Sequence, residues 1–265
     1  MPPKDAVAEG PSVASNRRFF LTDYRQSRDF APLLRWLILV SVTAFGALML
    51  WNLGLIQSML ATDRTRVSSL IIGLFVLSTL HCLAQTWSVS RELVSARRFR
   101  QALDRESEPV ATTLKRSGVP SESAIAQHVA NLVAKARSQR GRRIDQTLLL
   151  RALSDRLRGR EKIGVFVSEA LLRLALLGTA VGFILMLTPL AALTAFDAES
   201  LRKALAGMSG GMAIALNITV TGIATAVLLK LQYFFLDKAV VELFDIITET
   251  TEVHVVSALE SDDGG

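Results

Sequence analysis

The runs LALLGTAVGFILMLTPLAALTAF (residues 174–196) and ALAGMSGGMAIALNITVTGIATAVLL (residues 204–229) dominate the second half of the chain. A helix needs about 20 mainly apolar residues to cross a bilayer, and each run reaches that length. A short polar turn, residues 197–203, is predicted to join them. Residues 164–236 are therefore predicted to form a transmembrane helical hairpin, and the interpretation of the other segments starts from it.

Both runs concentrate small and polar side chains on one helical face. In the first run, spacings of three and four residues join Ala175, Thr179, Gly182, Met186 and Pro189. In the second run, the same spacings join Gly211, Ala215, Thr219, Gly222 and Ala226, with Asn217, Thr221 and Thr225 on a neighbouring stripe. Small residues let helix backbones approach closely, and polar groups in hydrocarbon are tolerated mainly where helices meet or a wet path runs. The pattern predicts a close seam that carries a hydroxyl on each helix.

Two further apolar runs precede the hairpin, at residues 33–56 and 67–87, and a short turn is predicted between them at residues 57–66. Half of the 265 residues are hydrophobic, which is rare among soluble domains. The chain is therefore predicted to cross the membrane four times, so that both ends lie on one side. His81 falls near one end of the second run, where a packed or snorkelling side chain is favoured over a proton relay. The single cysteine, Cys82, excludes a disulfide within the chain, and the three histidines show no ligand spacing, so we expect no metal and no cofactor.

The segment 88–162 is strongly basic, with seventeen of the thirty Lys and Arg residues. Basic loops stay in the cytosol, which places this segment and both chain ends there. Its pattern is helical: Ser121 is a candidate N-cap for a helix to about residue 138, and Gly141 is a candidate stop. A further helix from about residue 144 carries an apolar stripe made of Leu148, Leu149, Leu153 and Leu157. The basic side chains fit a solvated face, anionic lipid headgroups or an acidic partner; without aromatic interleaving or a motif, we expect no nucleic-acid binding.

The predicted fold class is an all-α membrane protein. It has four transmembrane helices, a helical cytosolic segment between the second and third, and long cytosolic extensions of the third and fourth. Residues 1–32 are interpreted as a flexible cytosolic leader, residues 33–87 as transmembrane helices 1 and 2, and residues 88–163 as the basic segment. Residues 164–236 hold transmembrane helices 3 and 4, and residues 237–265 form a cytosolic helical extension and tail.

On the hairpin residues, the chain resembles a known family. The segment LLGTAVGFI (176–184) resembles the GLLGTVxGI motif of the MotA/TolQ/ExbB proton channel family. The segment GMAIALNITVTGI (211–223) resembles the second motif of TolQ and ExbB, which reads roughly GIAEALxxTxxGL. The resemblance covers about residues 164–245. The order of two spans, a cytosolic helical segment and two spans is closer to MotA, because TolQ and ExbB have three spans.

This resemblance implies a subunit of the bacterial inner membrane that forms a homopentamer around single-span partner helices of the MotB/TolR/ExbD type. It implies that Thr179 and Thr219 line the ion pathway, and that the output is mechanical work driven by the ion-motive force. The small residues of the pore face are then Ala175, Gly178, Gly182, Gly211, Ala215 and Gly222.

Three positions depart from the family motifs. Ile214 stands where TolQ and ExbB have a glutamate, Ala175 replaces a motif glycine, and Leu172 replaces a proline that precedes the first motif in TolQ. The four apolar runs contain no Asp or Glu. Any titratable carboxylate in the ion pathway must therefore come from a partner.

Two other function classes stay open. A membrane scaffold that conducts no ions would tolerate Val at positions 179 and 219. A secondary transporter would usually show internal repeats or broken helices around a site at the bilayer midplane, and no convincing repeat relates the first pair of runs to the second. We expect no enzymatic activity, because the sequence shows no nucleophile–base pair, no acidic dyad in the apolar runs and no phosphate-binding loop.

Overall fold

The structure, a computed structural model, describes residues 31–62, 66–105, 110–139, 144–159, 162–191 and 198–262. Within these ranges every regular element is helical. The helices are α1 (Ala31–Asn52), α2 (Leu55–Thr62), α3 (Val67–Leu103), α4 (Val110–Arg116), α5 (Ala124–Gln139), α6 (Thr147–Arg158), α7 (Lys162–Ala191), α8 (Ala198–Thr250) and α9 (Ser257–Asp262). A π-helical turn, Thr251–Val256, joins α8 to α9.

Four of these helices, α1, α3, α7 and α8, are long and apolar enough to cross a membrane. This confirms the prediction of four apolar helices that are long enough to span a membrane. Helices α3 and α8 contain 37 and 53 residues. At a rise of about 1.5 Å per residue they are roughly 55 and 80 Å long, which well exceeds the ~30 Å hydrocarbon core. Both are therefore uninterrupted helices that are considerably longer than a bilayer crossing requires.

Helix α8 is the centre of the packing. It lies along α7 for the length of the hairpin and also packs against α1, α3 and α6. Its buried side recurs at seven-residue spacing, with Leu229, Leu236 and Leu243 each 1% exposed or less. This spacing keeps one stripe of α8 facing its neighbours. The opposite stripe, which includes Leu216, Val220 and Val227, is exposed and is the surface left for lipid or other chains.

The first apolar run is shorter as a helix than the sequence predicted. Helix α1 ends at Asn52, and the chain turns at Gly54, whose φ of 74° lies in the left-handed region that glycine adopts at little cost. Residues 57–62, part of the predicted turn, are instead helical, because α2 runs from Leu55 to Thr62. The prediction was wrong here because it counted apolar residues and overlooked the helix-terminating conformation of Gly54.

The start of α5 also corrects the sequence interpretation. The predicted N-cap, Ser121, lies before the helix, and Ser123 Oγ accepts the hydrogen bond from the Ala126 amide at 3.3 Å. The carboxylate of Glu92, on α3, accepts a second one from the Ala124 amide at 2.9 Å. These two acceptors satisfy first-turn amides that have no partner inside the helix. A residue remote in sequence thus helps decide where α5 begins.

Helix α6 buries a narrower stripe than predicted. It begins at Thr147, and Leu153 and Leu157 are buried, but Leu148 is 74% exposed and does not belong to the stripe. The predicted stop Gly141, most of the leader 1–32 and residues 192–197 lie outside the described residues. The predicted polar turn at residues 197–203 is wrong from its second residue onward, because α8 already begins at Ala198.

The basic residues of α3 are partly neutralised within the chain. Arg97 pairs with Glu242 at 2.6 Å, and Arg100 forms two hydrogen bonds with Glu249, each 2.8 Å long. Glu242 and Glu249 lie two helical turns apart on α8, beyond its apolar run. These ion pairs hold the extensions of α3 and α8 side by side, so part of the basic character of residues 88–162 serves the fold.

Candidate functional site

The candidate site is built on the seam between α7 and α8, where glycines let the two backbones approach. A Cβ atom placed on Gly211 would lie 2.5 Å from the Cα atom of Met186, and one on Gly182 would lie 2.8 Å from the Cα atom of Ala215. Real Cβ atoms essentially never come that close to other atoms. Only glycine at positions 182 and 211 is compatible with this helix separation.

The same seam continues toward the C-terminal end of the apolar run of α8. A Cβ atom on Gly178 would lie 2.3 Å from Ile218 Cγ2, and one on Gly222 would lie 2.3 Å from the Cβ atom of Ala175. From Met186–Gly211 to Ala175–Gly222 the contacts keep the same antiparallel register to within one residue. All six predicted small residues therefore lie in or beside the seam within one chain, packed against the facing helix.

The geometry of the seam determines where the two threonines point. Thr179 directly follows Gly178, and Thr219 directly follows Ile218, its contact across the seam. Successive side chains of an α-helix point in directions about 100° apart. Because α7 and α8 are antiparallel, this rotation places both threonines on the same side of the seam. They also lie at the same level, since Gly178 and Ile218 face each other. Thr179 and Thr219 thus form a pair of hydroxyl-bearing side chains beside the seam, both partly exposed.

Each of these hydroxyls donates to its own helix. Thr219 Oγ1 donates to the Ala215 carbonyl at 2.9 Å, and Thr179 Oγ1 donates to the Leu176 carbonyl at 2.6 Å. A hydroxyl has one proton and two lone pairs, so each oxygen keeps accepting capacity on its outer side. The pair can therefore accept hydrogen bonds from water or from a protonated carboxyl group, but it carries no charge near neutral pH.

The neighbouring polar stripe turns to the other side of the seam. Asn217 and Thr221 directly precede the seam residues Ile218 and Gly222, so the same rotation places them opposite Thr219. Thr221 and Thr225 also donate to backbone carbonyls of their own helix, at 2.8 Å each. These residues match Thr219 in chemistry and local bonding but differ from it in direction.

Ile214, at the position of the family glutamate, is 7% exposed and belongs to the hydrophobic core. A carboxylate there would be buried among apolar neighbours, which is costly without a partner charge. The local packing therefore fits the isoleucine that this chain carries.

Sequence reasoning missed a polar contact between helices at the end of the hairpin. The Tyr233 hydroxyl lies 2.9 Å from His81 Nδ1, and the Tyr233 ring lies on Gly164, where a Cβ atom would be 2.2 Å from its Cδ1 atom. The tyrosine thereby connects α3, α7 and α8. Its partners are 152 and 69 residues away in sequence, so no local pattern could reveal the contact.

A second buried polar group lies outside the spans, where the loop before α6 meets the π-helical turn. Gln146 Oε1 lies 3.4 Å from His128 Nε2 and accepts from Thr251 Oγ1 at 3.2 Å, while the Gln146 amide donates to Glu252. His128 and Gln146 are 3% and 4% exposed. Burial lowers the pKa of His128 below its ordinary value of 6.5, partly offset by the hydrogen bond to Gln146. His128 is therefore held neutral at neutral pH.

Comparison with known proteins bears on the same part of the chain. No curated protein and no solved structure matches it. Residues 119–249 match the model of the MotA/TolQ/ExbB proton channel family. The matched segment contains the whole α7–α8 seam and both threonines of the pair. This segment begins within the basic segment and includes the whole apolar hairpin. By this match, the chain belongs to the MotA/TolQ/ExbB proton channel family.

Proposed function

We propose that this chain is the ion-channel subunit of a bacterial inner-membrane motor complex. Five copies surround single-span partner helices of the MotB/TolR/ExbD type, and ion flow along the interface drives mechanical work by the partner. The N-terminus, the segment 88–163 and the C-terminus lie in the cytosol, in agreement with the excess of Lys and Arg there. The chain has no enzymatic role in this proposal.

The observation that carries the proposal is the level pairing of Thr179 and Thr219 on one side of the seam. In a ring of hairpins that face inward on this side, ten hydroxyls would form one belt around the partner. Each hydroxyl oxygen would accept a hydrogen bond from a protonated partner carboxyl, or from water that solvates the ion.

The lack of Asp and Glu in the four apolar runs supports the need for a partner. A threonine cannot hold a proton as a charge carrier at neutral pH, so a wall of this kind conducts only beside a titratable group. The partner supplies that carboxylate, and this chain supplies the polar wall.

A non-conducting scaffold is the alternative that the same geometry permits, because threonines that bond their own helix also occur as ordinary helix–helix contacts. The two functions differ in what they require of the hydroxyls. Conduction needs oxygen atoms on the pore side, whereas a scaffold needs only their volume.

Replacement of Thr179 and Thr219 by Val separates these two functions. Valine keeps the shape and removes the oxygen. We expect T179V/T219V to assemble normally but to lose most of the ion flux that the co-reconstituted complex shows in liposomes with a pH-sensitive dye. The matched control is T221V/T225V, which removes two hydroxyls of the same bonding type on the other side of the seam and should retain the flux. Equal flux in the two double variants would remove Thr179 and Thr219 from the ion pathway, and absence of flux from the unsubstituted complex would favour the scaffold.

Stoichiometry is tested first, by native mass spectrometry of the detergent-purified protein co-expressed with an adjacent gene for a single-span protein. Five copies of this chain with two of the partner are expected. A monomer or dimer that retains no partner would refute the motor proposal.

A further inference from the structure

A groove of about 590 Å³ opens between α7 and α8 at the end of the hairpin where both apolar runs stop. It spans residues 162–169 on α7, just before the run that starts at residue 174, and residues 230–237 on α8, just after the run that ends at residue 229. In a membrane-spanning hairpin, this level is the boundary between hydrocarbon and headgroups.

The floor and sides of the groove are apolar. Tyr233 forms the floor, held against Gly164 and tied to His81 as described above. Phe166 and Phe234 stand on either side and are 67% and 49% exposed. Aromatic residues at this depth fit the upper part of an acyl chain and the glycerol region of a lipid.

The rim carries four charges arranged as two couples of opposite sign. The register that places Gly164 against Tyr233 brings Lys162 close to the level of Asp237, and Glu169 close to the level of Lys230, each within about one helical turn. Neither couple closes into an ion pair across the groove. Lys162, Lys230 and Asp237 form no ion pair with any residue in the described ranges, and Glu169 pairs along its own helix with Arg173 at 3.2 Å.

Charges of both signs that face an apolar groove without neutralising each other favour an amphiphilic ligand that carries both signs. We propose that this groove binds a zwitterionic aminophospholipid of the phosphatidylethanolamine class. Its phosphate lies between Lys162 and Lys230, its ammonium group donates to Glu169 and Asp237, and its acyl chains pass between Phe166 and Phe234. A purely anionic headgroup would satisfy the lysines but would leave the two carboxylates beside added negative charge.

The proposal is tested with the full chain purified in detergent and titrated with phosphatidylethanolamine or phosphatidylglycerol of identical acyl chains. Native mass spectrometry reports the lipid retained per chain. We expect phosphatidylethanolamine to bind about tenfold more tightly, as one or two charge-assisted hydrogen bonds to the ammonium group would give. Equal binding of the two lipids to the unsubstituted chain, or tighter binding of phosphatidylglycerol, would overturn the proposal.

Two double variants then test which side chains bind the ammonium group of the lipid and which bind its phosphate. E169Q/D237N should abolish the preference for phosphatidylethanolamine, whereas K162Q/K230Q should weaken both lipids because both contain a phosphate. The control is E199Q/K203Q, which neutralises an exposed ion pair at the other end of α8 and should change nothing. A preference that persists in E169Q/D237N would refute the assignment. Unchanged lipid retention together with a changed number of subunits in that variant would instead show that the groove is a contact between copies of the chain.

Discussion

The seam makes its sharpest prediction at two adjacent glycines, Gly210 and Gly211. A Cβ atom on Gly211 would lie 2.5 Å from the Cα atom of Met186 and 2.6 Å from its nitrogen, whereas one on Gly210 would have no atom within 4 Å. The obstacle at position 211 is backbone, which cannot move by changing rotamer. To restore a normal carbon–carbon contact of about 3.5 Å, α7 and α8 would have to separate by roughly 1 Å.

The comparison of G211A with G210A isolates the cost of this separation. Both substitutions replace glycine by alanine within α8, and both gain up to about 1 kcal/mol of helix propensity. Only G211A pays for overpacking, which costs about 1–3 kcal/mol in well-packed interiors. The free energy of unfolding of G211A should therefore be lower than that of G210A by about 1–3 kcal/mol.

The assay is equilibrium unfolding of the purified protein, by SDS titration in mixed micelles, followed by far-UV circular dichroism. Native mass spectrometry in parallel verifies that the two variants have the same oligomeric state. If G211A were as stable as G210A, or more stable, the close approach of α7 and α8 at this level would be refuted. The derived positions of Thr179 and Thr219 would then lose their basis.

Two further predictions concern the segments outside the bilayer. Because burial lowers the pKa of His128, the unfolded chain binds a proton at a higher pH than the folded chain does. The contribution of His128 to stability is therefore complete above about pH 6.5 and is lost as the pH falls through the lower folded pKa. Unfolding measured from pH 8 to pH 5 should show this loss in the wild type and a smaller loss in H128Q, and equal losses in both would exclude His128 as the cause. For the ion pair of Arg100 and Glu249, whose side chains are 39% and 55% exposed, a double-mutant cycle with R100Q and E249Q should give a coupling energy of about 0.2–1 kcal/mol that shrinks in 1 M salt. A coupling above this range, or one insensitive to salt, would contradict the solvent-exposed geometry.

Much of the fold follows from one-dimensional patterns. The apolar runs at residues 33–56, 67–87, 174–196 and 204–229 correspond to α1, α3, α7 and α8, because the bilayer sets the required length whatever the neighbouring helices are. The ion pair of Glu169 with Arg173 was also predictable, since residues four apart meet on one helix. The errors fall at helix ends. Ser123 rather than Ser121 caps α5, and Gly54 ends α1, since ends depend on local conformation and on remote partners such as Glu92.

For the candidate site, the sequence by itself determined which residues are small, which carry hydroxyls, and that the apolar runs hold no carboxylate. Helical periodicity alone placed Gly211, Ala215 and Gly222 on one face, because the period of an α-helix is a local property. Only the tertiary structure decided that Gly211 lies on Met186 and Gly182 on Ala215, and hence that Thr179 and Thr219 share a level and a side. The physical reason is that the register between two helices is set by how their surfaces fit together. That fit depends on pairs of residues far apart in sequence, as in the contact of His81 with Tyr233.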